Sequence, residues 1–254
     1  MKSPKVSIII PCYNAEKWIE KCINSALNQT YENIEVIVVD NESNDNSLII
    51  LNEKFGKNDK VIIDTAENIY PNCWDEARQK GFSISTGQYL FTLASDDIYG
   101  PRFVENNLKF ILKVPDKVKA LQSPIVGISE DGNAVLTIGK DGNANTAETK
   151  HFYKNISQFK SLALQRCPVN SPTVVYNRDL YESGLLQTKP ELYGGAADYD
   201  LYCNLTENGV FIFPANVFLG YYYRWHPEQA SWNVKKEGKN YDKMIQDYWK
   251  KKWT

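Results

Sequence analysis

Two short runs near the start of the chain, Val6-Ser7-Ile8-Ile9-Ile10 and Ile34 to Val39, are almost continuously apolar and β-branched. A strand with one wet face alternates apolar and polar residues, whereas a near-continuous apolar run suits a strand buried on both faces. Pro11 stops the first run, and Ala15 to Asn28 then sets Trp18, Ile19, Cys22, Ile23, Ala26 and Leu27 on one helical face. Strand, helix and strand in that order predict a parallel sheet covered by helices. Such sheets bind ligands beyond the carboxyl ends of their strands. Tyr13, Asp40 and Asp96 fall at those ends.

The segment Tyr89 to Pro101 reads YLFTLASDDIYGP, an apolar run ending in the adjacent carboxylates Asp96 and Asp97. A buried Asp pair is costly unless something positive neutralises it, and hard oxygen ligands suit Mg²⁺ or Mn²⁺ bridging to a phosphate. The residues equally suit an Asp-rich turn capping a helix that starts near Arg102. Both readings stay open on this segment alone.

The opening VSIIIPCYNAEKWIEKCINSALNQTYENIEVIVVDNESNDNS resembles the nucleotide-binding start of family 2 glycosyltransferases, whose fold is called GT-A. Pro11, Tyr13, Asn14, Gln29, Tyr31, Asp40, Ser43 and Asp45 match that pattern, while Asn41 and Glu42 replace its usual D-G. The resemblance implies that Asp40 accepts the N3–H of a uracil ring and that Tyr13 flanks the base, with Pro11 and Asn14 in the same nucleotide site. It continues through AENIYPNCWDEARQKGFSISTGQYLFTLASDDIYGP, which is similar to the family's N-x-G…A-R-N-x-G segment and D-x-D metal motif. Arg78 falls on the family's arginine, where it would pair with the base or the diphosphate. Without the resemblance, an arginine on a helix reads as a solvated face residue. Asp97 is expected to hold the metal ion, Asp96 to contact the ribose or support the ion from behind, and Ser95 to sit with them in the nucleotide site. Ala94 stands where many relatives carry the first Asp.

A third constellation is Gly194-Gly195-Ala196-Ala197-Asp198-Tyr199-Asp200-Leu201. On its residues alone it is a glycine turn with Asp198 as the N-cap of a helix. It resembles the family's E-D-x-D-L signature with the Glu replaced by Ala197, which implies Asp198 as the general base; Asp200 is expected to be solvated or to support it. A weakly basic carboxylate needs partial desolvation to do that work. Tyr222-Tyr223-Arg224-Trp225-His226, followed by Ser231, is similar to a Y-R-x-H-x(4)-S pattern of these enzymes, so His226 is expected to contact the diphosphate or the metal. A partly buried loop histidine is the plainer alternative, and His151 is read as structural.

At 254 residues and 43% apolar, the chain is long enough for one large α/β domain. The expected architecture is a GT-A fold: a single Rossmann-like, mostly parallel sheet flanked by helices, with a smaller acceptor-side subregion. Residues 1–233 form the domain, about 1–100 binding nucleotide and about 101–233 binding acceptor, and 234–254 form a basic aromatic segment. A formal charge of −2 gives no basic field for nucleic acid. Five cysteines without C-x-x-C spacing, and no resemblance to a signal peptide, read as a reduced cytoplasmic protein. No stretch approaches the roughly 20 apolar residues of a membrane span. In the second half, Ala120 to Ile128 and Ala134 to Ile138 are read as strands joined by the turn Glu130-Asp131-Gly132-Asn133, followed by a polar loop containing a second DGN. Asn170 to Thr173 is read as facing the acceptor.

From Lys235 onward seven lysines stand against three acidic residues, interleaved with Tyr241, Met244, Ile245, Tyr248, Trp249 and Trp253. This reads either as a helix packed on the domain with its lysines in solvent, or as a peripheral contact with an anionic membrane.

Taken with the resemblance, these residues imply an inverting, metal-dependent transfer of a sugar from a nucleotide diphosphate donor, UDP first among the bases, to a hydroxyl of a glycan or lipid-linked acceptor. After Ile10 comes PCYNAE and not G-x-G-x-x-G, and no phosphate-loop G-x(4)-G-K-[ST] occurs, so a dinucleotide enzyme is disfavoured. The stronger alternative is a catalytically impaired nucleotide-sugar or glycan-binding module, since Ala94 and Ala197 replace two acidic motif positions.

Overall fold

The computed structural model describes residues 3–70, 73–114, 117–134, 137–138, 144–145, 147–148, 153–230, 234 and 237–254. The first half alternates strand and helix without a break: β1 (Val6–Cys12), α1 (Ile19–Leu27), β2 (Ile34–Asp40), α2 (Ser47–Phe55), β3 (Val61–Thr65), α3 (Asp75–Ile84) and β4 (Tyr89–Thr92). Then follow β5 (Ile98–Tyr99), α4 (Phe103–Ile111), β6 (Ala120–Gln122), β7 (Ile125–Ile128), β8 (Thr137–Ile138), β9 (Ala144–Asn145), β10 (Ala147–Glu148) and α5 (Ile156–Ala163). The chain ends with β11 (Val175–Asn177), α6 (Arg178–Glu182), α7 (Pro190–Tyr193), α8 (Ala197–Glu207), β12 (Ile212–Pro214), β13 (Tyr221–Arg224) and α9 (Tyr241–Trp253).

A seven-stranded sheet runs in the order β12-β6-β11-β4-β1-β2-β3. All its pairings are parallel except those of β11, which runs antiparallel to both β4 and β6. Every residue of β1 and β2 is buried, as their apolar runs require. Val6, Ile8 and Ile10 face α1, α2 and α4, whereas Ile9 and Leu90 face α3, α5, α8 and α9. The two cores are thus separated by the sheet and fed by alternate residues of the same strands. Helix α3 lies so close to β1 that a Cβ on Gly81 would sit 2.4 Å from Ile9 Cγ2.

Two expectations for the second half change. Ala120 to Ile128 is not one strand: β6 joins the large sheet, and β7 joins a four-stranded sheet ordered β10-β7-β13-β5. Ser123-Pro124 makes the break; the Ser123 N–H donates to Thr173 Oγ1 at 3.0 Å and Pro124 has none to give. The molecule therefore has a second sheet, carrying Ile98 on one strand and Arg224 on another. The Glu130–Asn133 turn forms as expected, with Gly132 at φ 92° and Ser129 N–H donating to Asn133 O. The second DGN, His151, Ser231 and Lys235 to Lys236 lie wholly or partly outside the described residues.

Candidate active site

Because β1, β2 and β4 are parallel and in register, their carboxyl ends leave the sheet together: Cys12 pairs with Asp40, and Leu93 N–H donates to Ile9 O. Pro11 is tolerated inside a central strand because β4 pairs with β1 only as far as Ile9. The loops after β1 and β2 are then tied to each other. Asn14, at φ 48°, donates its N–H to Ser43 Oγ at 3.0 Å and accepts from Asn44 N–H at 2.7 Å. Asp45 accepts from Glu16 N–H and Ser47 N–H, both at 2.9 Å. Glu42, where the family pattern has Gly, takes the left-handed conformation glycine favours, φ 59°, and accepts from Asn68 N–H at 3.1 Å.

Within this frame Asp40 is 2% exposed. Its Oδ2 accepts from Ser43 N–H at 3.0 Å, and its Oδ1 is buried without a partner. An unpaired buried carboxylate oxygen is costly, which marks a place where a ligand donor would be welcome. Tyr13, one residue beyond the Cys12–Asp40 pair, is 45% exposed at the same rim.

The Ala94–Asp97 loop follows β4. Asp97 is 1% exposed, with Oδ2 accepting from the Tyr221 hydroxyl at 2.7 Å and Oδ1 from Arg224 N–H at 2.7 Å. Burial and the neighbouring Asp96 charge push its carboxyl well above the usual range. Each of its oxygens thus already accepts from a protein donor in a buried site. Asp96 is the carboxylate that remains partly exposed, and its Oδ2 stands 2.9 Å from His226 Nε2. The imidazole lies against Trp18, tilted by 39° with centroids 4.1 Å apart, and its Nδ1 is buried without a partner. Ser95 is partly exposed beside Asp96.

The spacing of Asp96 and His226 fits two adjacent ligands of one octahedral ion, which at metal–ligand distances near 2.1 Å are about 3.0 Å apart. Among the described residues no group of three or more His, Cys, Asp or Glu is gathered for a metal. An ion here would take its remaining ligands from elsewhere, as Mg²⁺ and Mn²⁺ do when they bind diphosphate oxygens and water.

Arg224 and Tyr221, for which no role was expected, hold this loop in place. The buried Arg224 guanidinium donates to Asp96 O at 2.7 Å and to Ser129 O and Glu130 O at 3.1 and 2.6 Å. Only the Arg within Y-R-x-H hinted at such a clamp.

Asp198 reaches the same rim from the other side of β4. Strand β11 is antiparallel, so its amino end, preceded by Ser171–Thr173, lies at the carboxyl edge of β4. Asp198, in the first turn of α8, lines a small cleft with Trp74, Asp75, Arg78, Thr188 and Ala197. Burial raises its carboxyl above the usual range, against the opposing effects of a Ser171 hydrogen bond and the Arg78 charge. Ser171 of the segment read as acceptor-facing is thus beside Asp198. Arg78 is not a solvated residue: it is 3% exposed, donates to Asp75 Oδ1 at 2.6 Å, and lies 5.4 and 5.8 Å from the Trp74 and Phe82 ring centres. Its Nε is unpartnered. The structure brings Arg78 to the Asp198 cleft.

Residues 7–183 match the family described as Glycosyl transferase family 2. The chain belongs to that family. This family 2 chain is 30% identical over 208 residues to the chondroitin synthase of Pasteurella multocida (strain Pm70), covering 82% of this chain and 19% of that protein. It is 30% identical over 230 residues to an uncharacterized glycosyltransferase of Rickettsia felis, covering 90% and 35%. The chain therefore spans about a fifth to a third of the length of these relatives. The crystal structure of S. aureus TarS 1-349 in complex with UDP-GlcNAc superposes with a TM-score of 0.68 at 21% identity, covering 89% of this chain and 60% of that one. The fold is the GT-A fold expected of the family.

Proposed function

We propose that the chain is an inverting glycosyltransferase that moves a sugar from a UDP-sugar to a glycan hydroxyl. The observation that carries the reading is the set of groups gathered past the carboxyl edge of the sheet: an orphaned Asp40 oxygen at the end of β2, the Asp96–His226 pair past β4, and a desolvated Asp198 beside Ser171, which precedes the amino end of the antiparallel β11. Asp40 Oδ1 would accept the uracil N3–H, with Tyr13 against the base. Asp96 and His226 would hold Mn²⁺ or Mg²⁺, which when bound supplies positive charge opposite the leaving diphosphate. This assignment moves the metal from Asp97 to Asp96, because Asp97 already accepts from two protein donors.

Asp198 takes the proton of the acceptor hydroxyl as that oxygen attacks the anomeric carbon opposite the diphosphate, which gives inversion. Arg78, facing the same cleft with a free Nε–H, orients the donor sugar or its phosphate. A glycan acceptor is in keeping with the chondroitin and hyaluronan synthases among the relatives. The proposal extends to a lipid-linked saccharide at an anionic membrane face, met by the exposed lysines of α9. Among the described residues no helix is long and apolar enough to cross a membrane.

The rival is a binding module without turnover, since Ala197 is buried and supplies no carboxylate where the family pattern has Glu. A thermal-shift screen of UDP-, GDP- and dTDP-sugars with Mn²⁺ tests donor recognition; a ligand at a hundred times its Kd adds about 2.7 kcal/mol. Release of UDP with Mn²⁺ that stops with EDTA supports the enzyme, and stabilisation without release supports the module.

A further inference from the structure

The C-terminal helix α9 is locked to α8, the helix that carries Asp198. Asp200 is 2% exposed, yet both its oxygens find partners outside α8: Trp249 Nε1–H donates to Oδ1 at 2.7 Å, and Lys189 Nζ donates to Oδ2 at 3.0 Å. A carboxylate in that setting is held in place by its partners, because losing one leaves a buried charge uncompensated. Trp249 is itself 1% exposed. At the far end of α8, Trp253 Nε1–H donates to Glu207 Oε2 at 2.8 Å. Two indoles one helical turn apart thus grip both ends of the same helix.

The turn that leads into α8 is gripped as well. Gly194 has φ 48°, and a Cβ there would stand 2.9 Å from both Cζ and the hydroxyl of Tyr241, the first residue of α9. The Tyr241 ring therefore rests directly on glycine backbone three residues before Ala197. Successive residues turn by about 100° around a helix, so Asp198 and Asp200 point to roughly opposite sides. Asp198 lines the cleft while Asp200 faces α9. Any rotation of α8 that freed Asp200 from Trp249 would swing Asp198 by the same angle.

We propose that Asp200, clamped by Trp249 and Lys189, is a positioning residue that fixes the rotation of α8, so that α9 is part of the transfer machinery. This rests on the reading of Asp198 as the base. Displacing a reacting group by about 1 Å costs up to roughly a hundredfold in rate. The uracil and metal positions belong to other elements and are untouched.

The test uses the full chain, Mn²⁺ and whichever donor in the sugar-nucleotide screen turns over fastest. Trp249→Phe keeps an aromatic ring at the buried position but removes the pyrrole half of the indole with its N–H; Lys189→Met, at a partly exposed position, removes the other donor without disturbing the packed helix. The expected result is a fall in kcat of about 10- to 100-fold for Trp249→Phe and a smaller fall for Lys189→Met. Donor KM and the affinity for UDP with Mn²⁺ should stay within about twofold of wild type. Unchanged kcat in both variants, or kcat and UDP affinity falling in parallel, overturns the clamp. If Asp198→Asn keeps full activity, the reading of the base fails instead. If Asp198→Asn is inactive while Trp249→Phe and Lys189→Met turn over like wild type, the base stands and the clamp falls.

Discussion

His226 Nε2 lies 2.9 Å from Asp96 Oδ2, although 130 residues separate them in the chain. The approach is created by the second sheet. β13 pairs with β5, and its Arg224 and Tyr221 bind the Ala94–Asp97 loop, so that residues just past the end of β13 meet residues just past β4. His226→Ala and Asp96→Asn should each weaken Mn²⁺-dependent UDP binding by at least about tenfold, measured by calorimetry with and without EDTA. Variants that bind as tightly as wild type would place the ion elsewhere.

Asp97 should behave differently from its neighbour. Asp97→Ala leaves the Tyr221 hydroxyl and Arg224 N–H without an acceptor in a buried site, so urea unfolding should show a loss of about 1–3 kcal/mol. A stable Asp97→Ala protein that has lost only its response to Mn²⁺ would return the metal to Asp97.

Asp40→Asn keeps the shape of the proposed uracil site but removes the charged acceptor. Hydrogen bonds to charged groups are worth about 1.5–3 kcal/mol, so the UDP Kd should rise roughly 10- to 150-fold. GDP- and dTDP-sugar binding serve as comparison. An unaltered UDP Kd would mean that the orphaned Oδ1 does not meet the base.

Away from the site, Glu35 sits buried near the amino end of β2. Burial alone would raise its pKa, but Lys5, Ser7 and Thr86 overcome this and hold it at about 2. Its Oε1 accepts from Ser7 Oγ and Thr86 N–H, both at 2.6 Å. A depressed pKa contributes stability that is present above the unfolded value and is lost as pH falls through the folded one. Glu35→Gln should therefore cost about 1–3 kcal/mol at pH 7, and the gap to wild type should narrow between about pH 4.5 and 2. A pH-independent gap would show that the charge is not what matters.

Much of this was readable in advance, for physical reasons that differ by region. The runs around Ile8 and Val36 suit doubly buried strands of a parallel sheet, and with those strands and the run ending at Asp96 parallel, Tyr13, Asp40 and Asp96 fall at one edge. What sequence hid was set by distant contacts. Arg78 resembles any surface arginine until Thr188, Ala197 and Asp198, more than a hundred residues away, close a cleft over it. Asp97 looks as open as Asp96 until Tyr221 and Arg224 arrive from more than a hundred residues away and bind its carboxylate. The antiparallel β11 gave no signal at all, because three residues carry too little pattern to show direction. For the C-terminal segment, the packed-helix reading matches the structure: Tyr241, Ile245 and Trp249 are buried.

The rate of transfer should also depend on pH in one direction. A base acts only when ionised, and burial raises the Asp198 pKa above the ordinary carboxylate range. The rate should therefore rise with pH through a limb lying above that of a free aspartate, and fall as acid protonates the group. A flat profile across the acid range would separate Asp198 from proton transfer.

The most direct test is the turnover of Asp198→Asn under saturating donor and Mn²⁺, with UDP affinity measured on the same sample. A drop of about 10²- to 10⁴-fold in kcat with unchanged UDP binding is the predicted result. Turnover equal to wild type would contradict the account at its centre.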